Sequence, residues 1–273
     1  MSLLIVDQEK CKKDGICAAD CPTAIIKVDQ QQGPRLVNGG ELTCLRCGHC
    51  IAVCPHQALS HKDVTLETCV PIQKELKITS EQAIQFLRSR RSIRKFKDKP
   101  VEKDVIQQLI EIARYAPTGS NSQTLNWTVH TDADQIQTIA AKVIDWVKAV
   151  LAKDPQPANA PYMPTLAAAW DRGYDAVLRH APGLIVASAP REANNGMVDL
   201  TIALTYLDLL APTFGLGTCW AGLLLGAMKS RPEIKVAVGI PEDVPYFYPM
   251  MIGYTKPKYY RLPERLPPRI EWK

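Results

Sequence analysis

The stretch "CLRCGHCIAVCP", residues 44–55, limits what this chain can fold around more than any other. It sets Cys44, Cys47, Cys50 and Cys54-Pro55 at the Cys-x2-Cys-x2-Cys-x3-Cys-Pro spacing used by bacterial iron–sulfur runs. A zinc knuckle is the competing chemistry for clustered cysteines, but it ordinarily needs two separated Cys-x-x-Cys pairs. The earlier stretch "CKKDGICAADCP", residues 11–22, follows the same pattern with one change. Cys11, Cys17 and Cys21-Pro22 fill the first, third and fourth places, and Asp14 stands in the second. A carboxylate there is either a hard, weakly held iron ligand or an Asx cap on the turn before Gly15.

Cysteine placement also divides the chain. Seven of the nine cysteines lie between residues 11 and 54, leaving Cys69 and Cys219 outside, and 273 residues suit a small metal module followed by a medium domain. "MSLLIVDQEK" has no basic leader region or cleavage signal, so a cytoplasmic location is expected, where clustered cysteines serve as metal ligands more often than as disulfides. The longest apolar stretch, residues 197–220, is interrupted by Asp199, Asp208 and Pro212 and is expected to be a buried core helix, with no membrane partner. Net charge is +5, concentrated in residues 88–99 (seven Lys or Arg against Asp98) and 256–273 (six against Glu264 and Glu271). Two such spots suit compact anion sites better than a nucleic-acid stripe.

Together the two cysteine runs resemble the two-cluster bacterial ferredoxin over residues 1–65. The resemblance implies a pseudo-twofold fold with two short hairpins and two short helices, in which the fourth cysteine of each run crosses to the other cluster. Cluster one would take Cys11, Cys17 and Cys54 with Asp14 at the remaining corner; cluster two would take Cys44, Cys47, Cys50 and Cys21. Both are expected to be four-iron clusters, the first convertible to a three-iron form. His49, His56 and His61 read as solvated loop residues.

Residues 66–80 read as a linker into a second domain over 81–273. "TSEQ", residues 79–82, fits a capping box before a short helix carrying Ala83, Ile84, Phe86 and Leu87. A second helix is expected after Pro100, with Val105, Ile106, Leu109, Ile110, Ala113 and Ala116 at helical spacing, ending before Pro117. A small-residue turn then feeds a strand at Trp127–His130. "AKDPQPANAPYMPT", residues 152–165, holds four prolines and reads as either a lid beside Trp170 and Tyr174 or a plain surface excursion.

"RRSIRKF", "ARYAPTGSNSQTLNW", "LGTCWAGLL" and "GYTKPKYYRLPERLPPRIEW", in that order, resemble the flavin-binding nitroreductase family over residues 81–273. The resemblance implies an α+β homodimer, with an antiparallel-containing sheet wrapped by helices and flavin mononucleotide (FMN) at the subunit interface. It departs from the family at Thr124, where a proline is frequent, and at Arg91, where Arg or His is common. Guanidinium forks suit a flavin phosphate, so Arg90, Arg91, Ser92 and Arg94, joined by Arg261 or Arg265, are candidates for its site; a solvated basic surface is the plainer alternative. Asn121 and Gln123 offer amides for the pyrimidine edge of the ring, or are ordinary turn residues. Ala221, Gly222 and Leu223 are candidates for close backbone approach to the ring, and Cys219 reads as a packed thiol.

No Ser-His-Asp set, metalloprotease helix or phosphate-binding glycine loop is present in the sequence, and no side chain is assigned a catalytic role. The expected function is an FMN-dependent oxidoreductase whose clusters pass electrons to flavin and on to a small aromatic, nitro or quinone-like acceptor, with an external donor such as ferredoxin. Direct use of NAD(P)H is the close alternative, and an electron carrier or redox sensor is the alternative from another class.

Overall fold

The structure is a computed structural model and describes residues 3–158 and 160–273. It divides into two compact units, the first running to Lys77 and including Ser120–Ser122, the second comprising Ile78–Gly119 and Gln123–Lys273. In the first unit the elements are β1 (Leu4–Val6), α1 (Ile16–Ala19), β2 (Ile26–Asp29), β3 (Gly33–Leu36), α2 (Gly40–Thr43), α3 (His49–Ala52) and β4 (Leu59–His61). β2 and β3 form a hairpin, whereas β1 and β4 pair antiparallel across the unit's ends, with Leu4 opposite His61. Among the described residues one hairpin is therefore present where the resemblance implied two, and α2 is a third short helix. The small core is Leu4, Cys17, Ile25, Ile26, Ile51 and Leu59.

The two cysteine runs share a backbone as well as a spacing. Lys13, Gly15 and Ala24 adopt positive φ (56°, 78° and 53°), and so do Arg46, Gly48 and Gln57 (52°, 73° and 50°), each pair 33 positions apart. Left-handed backbone is costly for residues other than glycine, so its repetition marks a loop shaped by what it surrounds. Asp14 and Cys47 occupy equivalent places in these loops.

The second unit contains α4 (Ser80–Ser89), α5 (Lys103–Ala113), β5 (Asn126–His130), α6 (Ala133–Leu151), α7 (Met163–Asp171), β6 (Gly183–Ala189), α8 (Gly196–Leu210), β7 (Leu216–Trp220), α9 (Gly222–Ser230), α10 (Pro232–Ala237) and β8 (Tyr246–Tyr254). Its sheet has the order β5-β6-β8-β7, every neighbouring pair antiparallel. All seven residues of β6 are buried. Leu184 and Val186 join the core formed with α6, α7 and α9, while Ile185 and Ala187 join the core formed with α5 and α8. That period-two division places helices on both faces of the sheet, and burial of each large aliphatic side chain contributes about 1.5–3 kcal/mol.

The capping box before α4 is present: Gln82 N–H donates to Thr79 Oγ1 (3.2 Å) and Thr79 N–H to Gln82 Oε1 (2.8 Å). The apolar side chains of α4 nevertheless stay unburied. Residues 197–220 do not form one core helix. α8 stops at Leu210, residues 211–214 tighten into a 3-10 turn, Gly215 reverses the chain at φ 72°, and β7 follows. A largely apolar run carries no clear period that separates buried helix from buried strand; Pro212 and Gly215 supply the break. Among the described residues, 196–214 is the helical stretch long and apolar enough to cross a membrane. Here it is a core helix, with Leu200, Ala203, Leu204 and Leu207 fully buried. The proline-rich stretch 152–165 is also part core: Ala160 and Met163 are buried and α7 begins at Met163, with Pro164 in its first turn.

Candidate functional site

In the first unit the ligand-type side chains gather around two voids. Cys11, Asp14, Cys17 and Cys54 line one, with His56, Pro34 and Leu59. Cys21, Cys44, Cys47 and Cys50 line the other, with His61, Arg46 and Ile25. Each void thus draws three ligand-type residues from one run and the fourth from the other. Among the described residues no three His, Cys, Asp or Glu converge tightly enough to hold a single metal ion, as a zinc knuckle requires. All nine cysteines are free thiols. Burial pushes the Cys17 and Cys50 thiols up, Cys50 to about 11. Cys21 is lowered instead, because hydrogen bonds from the Ile25 and Thr23 backbone and the Thr23 hydroxyl outweigh its burial.

Asp14 uses both its oxygens. Oδ1 accepts from Ile16 N–H at 3.2 Å, the Asx contact expected of a cap, while Oδ2 lies 3.2 Å from His56 Nε2. His49 likewise lies 3.3 Å from Asp20. His61 is not a solvated loop residue. It closes β4, is 3% exposed, and places Nε2 3.6 Å from Cys44 Sγ. Burial pushes its pKa down. Its position depends on the pairing of β4 with β1, more than fifty residues earlier in the chain, which local sequence does not encode.

In the second unit the segment after α4 runs beside β7 and the end of β8: Ile93 N–H donates to the Thr218 carbonyl (2.8 Å) and Lys97 N–H to that of Tyr254 (2.8 Å). The approach is so close that a Cβ on Gly217 would lie 2.3 Å from Ile93, and one on Gly253 2.8 Å from Phe96. The basic run is split by this path. Arg91 and Ile93 line an open pocket with Asp208, Thr218 and Tyr259, and the Arg91 guanidinium sits 5.7 Å from the Tyr259 ring centroid. Arg94 lines a second pocket with Lys95, Tyr174 and Arg179, and Lys97 and Lys256 border both. Arg90 reaches the buried Asp208 carboxylate at 3.5 Å, which also accepts from Trp220 Nε1 (3.3 Å) and the Thr218 hydroxyl. Ser92 offers its carbonyl to Arg94 at 3.5 Å. Arg261 and Arg265 are exposed on the C-terminal tail and line neither cavity.

The nitroreductase family profile matches residues 87–254, more than half of the chain. The chain belongs to the nitroreductase family. A 4Fe-4S dicluster domain profile matches residues 6–65, so this nitroreductase carries an N-terminal two-cluster ferredoxin-type domain. Its fold is similar to that of a nitroreductase with bound FMN from Bacteroides fragilis, at 19% identity, TM-score 0.53 and coverage of 70% of this chain and 99% of the other. A nitroreductase with bound FMN from Desulfitobacterium hafniense gives 22% identity, TM-score 0.55 and coverage of 71% and 99%. The polyferredoxin protein MvhB of Methanothermus fervidus is 32% identical over 80 residues, 28% of this chain but only 17% of that relative. Membership makes the chain an oxidoreductase enzyme.

In this nitroreductase the "PTGSNSQT" turn, residues 117–124, is rich in left-handed backbone. Ser120, Asn121 and Gln123 all have positive φ (54°, 55° and 49°). Asn121 Nδ2 donates to the carbonyls of Leu45 (3.0 Å) and Arg46 (3.2 Å), within the first unit, while Gln123 N–H donates to Thr118 Oγ1 (3.1 Å). Asp199 Oδ1 accepts from Gly119 N–H at 2.9 Å, but Asp199 Oδ2 and Thr124 Oγ1 are buried without a hydrogen-bond partner among the described residues. Ala221 is buried and Gly222 opens α9. Cys219 is a packed thiol, pushed up by burial. Sequence reasoning missed Asp208 and Arg179; the sole trace of Asp208 was a carboxylate in an apolar run.

Proposed function

We propose that this chain is an FMN-dependent oxidoreductase in which electrons pass between two iron–sulfur clusters and flavin to reduce a small aromatic, nitro or quinone-like acceptor. The observation that carries the reading is the pair of ligand-lined voids, each assembled from both cysteine runs, on a chain whose remainder belongs to the nitroreductase family. Their donor sets fit clusters: four thiols in one, three thiols and a carboxylate in the other. Bound clusters supply one-electron transfer and FMN couples one- to two-electron chemistry. Cys11, Asp14, Cys17 and Cys54 would hold the first cluster, and Cys21, Cys44, Cys47 and Cys50 the second.

The second unit's residues fit FMN at two chemically distinct ends. Arg94, Lys95, Lys97, Arg179 and Lys256 on one cavity match a phosphate dianion. The strained turn with Gln123, and the buried, unpartnered Thr124 Oγ1 and Asp199 Oδ2, match a ring edge that both donates and accepts. Arg90 instead neutralises Asp208, so its role is to fix β7 and the Ala221–Gly222 turn beside the ring. A homodimer would cover Ile84 and Leu87 of α4, 54% and 56% exposed, and Leu266 and Trp272 of the tail, 93% and 89% exposed. The reducing cytoplasm suits an enzyme with nine free thiols.

Removing Arg94 should weaken FMN by about 1.5–3 kcal/mol, the worth of a charge-assisted hydrogen bond, and leave cluster absorbance unchanged. Ultrafiltration with flavin fluorescence measures it; wild-type retention in Arg94→Ala would move the phosphate elsewhere. For electron flow, anaerobic titration of the holoenzyme with reduced ferredoxin should bleach clusters and flavin together and sustain turnover of a quinone or nitroaromatic. Turnover with NADH or NADPH but not with ferredoxin would reassign the donor, and bleaching with no turnover at all would make the chain a carrier.

A further inference from the structure

We propose that His61 sets the reduction potential of the second cluster by donating a hydrogen bond from Nε2–H to Cys44 Sγ. The inference rests on the reading of Cys21, Cys44, Cys47 and Cys50 as ligands of that cluster.

The side chain lines the same void as the four cysteines and is almost wholly removed from solvent, with Nε2 3.6 Å from Cys44 Sγ. Its tautomer is fixed by its other nitrogen. Nδ1 accepts from Asp63 N–H at 3.0 Å, and a ring nitrogen that accepts cannot carry a proton, so the imidazole's single N–H is on Nε2, facing the sulfur. The backbone holds the ring in place, since His61 N–H donates to the Val64 carbonyl at 3.2 Å and the residue pairs with Leu4 across β1. This is a buried donor with, among the described residues, one acceptor within reach, and that acceptor is a candidate ligand.

Reducing a cluster adds negative charge that its sulfurs share. A hydrogen bond to a ligating sulfur is therefore stronger in the reduced state and raises the potential. The first void has no counterpart among the described residues: the histidine on its wall, His56, faces the Asp14 carboxylate and not a thiol. His61 thus makes the second centre more easily reduced than its four thiols alone would make it.

Two substitutions separate this role from simple packing. His61→Asn keeps a short acceptor for Asp63 N–H but cannot span to Cys44, whereas His61→Gln can. In redox titrations of the full chain followed by electron paramagnetic resonance, His61→Asn should lower one of the two cluster midpoints, decreasing the reduced-to-oxidised ratio at fixed potential about tenfold, or about 59 mV for a one-electron couple. The other midpoint and the iron content should stay constant, and His61→Gln should return toward wild type. Unchanged midpoints in His61→Asn at full iron content would overturn the proposal. So would loss of one cluster from that variant, which would make His61 an assembly residue. A wild-type protein holding only one cluster would instead refute the ligand reading beneath it.

Discussion

Cys47→Ala is expected to abolish acceptor reduction driven by reduced ferredoxin while leaving FMN bound. Cys47 is one of four thiols on the second void, and a four-iron cluster stripped of a ligand loses its hold on one corner. Removing even a residue that only supports a metal ligand commonly costs ten- to a hundredfold, so ferredoxin-driven turnover should fall below about one hundredth of wild type. Reoxidation of chemically prereduced flavin by a quinone should proceed at the wild-type rate, because Cys47 belongs to the ferredoxin-type domain and lines none of the basic cavities of the other unit. NAD(P)H-driven turnover, were that the physiological route, would also survive. Full ferredoxin-driven activity in a Cys47→Ala protein whose iron content shows the second cluster missing would sink the wire and leave the clusters a structural or sensing role.

The parts of this molecule that were legible in its sequence are those whose chemistry is local. Ligand spacing around Cys44–Cys54 is set by one loop and one short turn of helix, so it is written in twelve consecutive residues. The capping box at Thr79 is equally local. Legibility failed where neighbours come from far along the chain. His61 is buried by a strand from the opposite end of its unit, and Arg90 meets a carboxylate 118 positions away. The basic run read as one phosphate site, yet Arg91 and Ile93 line one pocket and Arg94 and Lys95 another, with Lys97 bordering both. The same limit explains the Leu216–Trp220 strand: Leu-Gly-Thr-Cys-Trp shows no clear alternation of apolar and polar residues, and pairing with β8 makes it a strand.

Asp14→Cys should lock the first cluster in its four-iron form. Asp14 stands where Cys47 stands in the second run, within a loop of the same left-handed backbone signature, so the chain is folded for a ligand at that point even though a carboxylate replaces the thiol. Capping does not exclude ligation, because the Ile16 N–H uses only Oδ1. The other oxygen has a competitor in His56, and both side chains are 35% exposed, leaving solvent access to the same corner. A hard oxygen ligand, shared with an imidazole and reachable by water, holds iron less firmly than a buried thiolate. Anaerobic ferricyanide treatment of the wild type should therefore release about one iron of the eight in two four-iron clusters and produce a three-iron paramagnetic signal, whereas Asp14→Cys should retain about all eight and give none. The second cluster, ligated by four thiolates, should be unaffected in both proteins. Equal iron loss from the two clusters, or release of iron from Asp14→Cys at the wild-type extent, would remove Asp14 from the cluster and leave it only the Asx-turn acceptor of the Ile16 N–H.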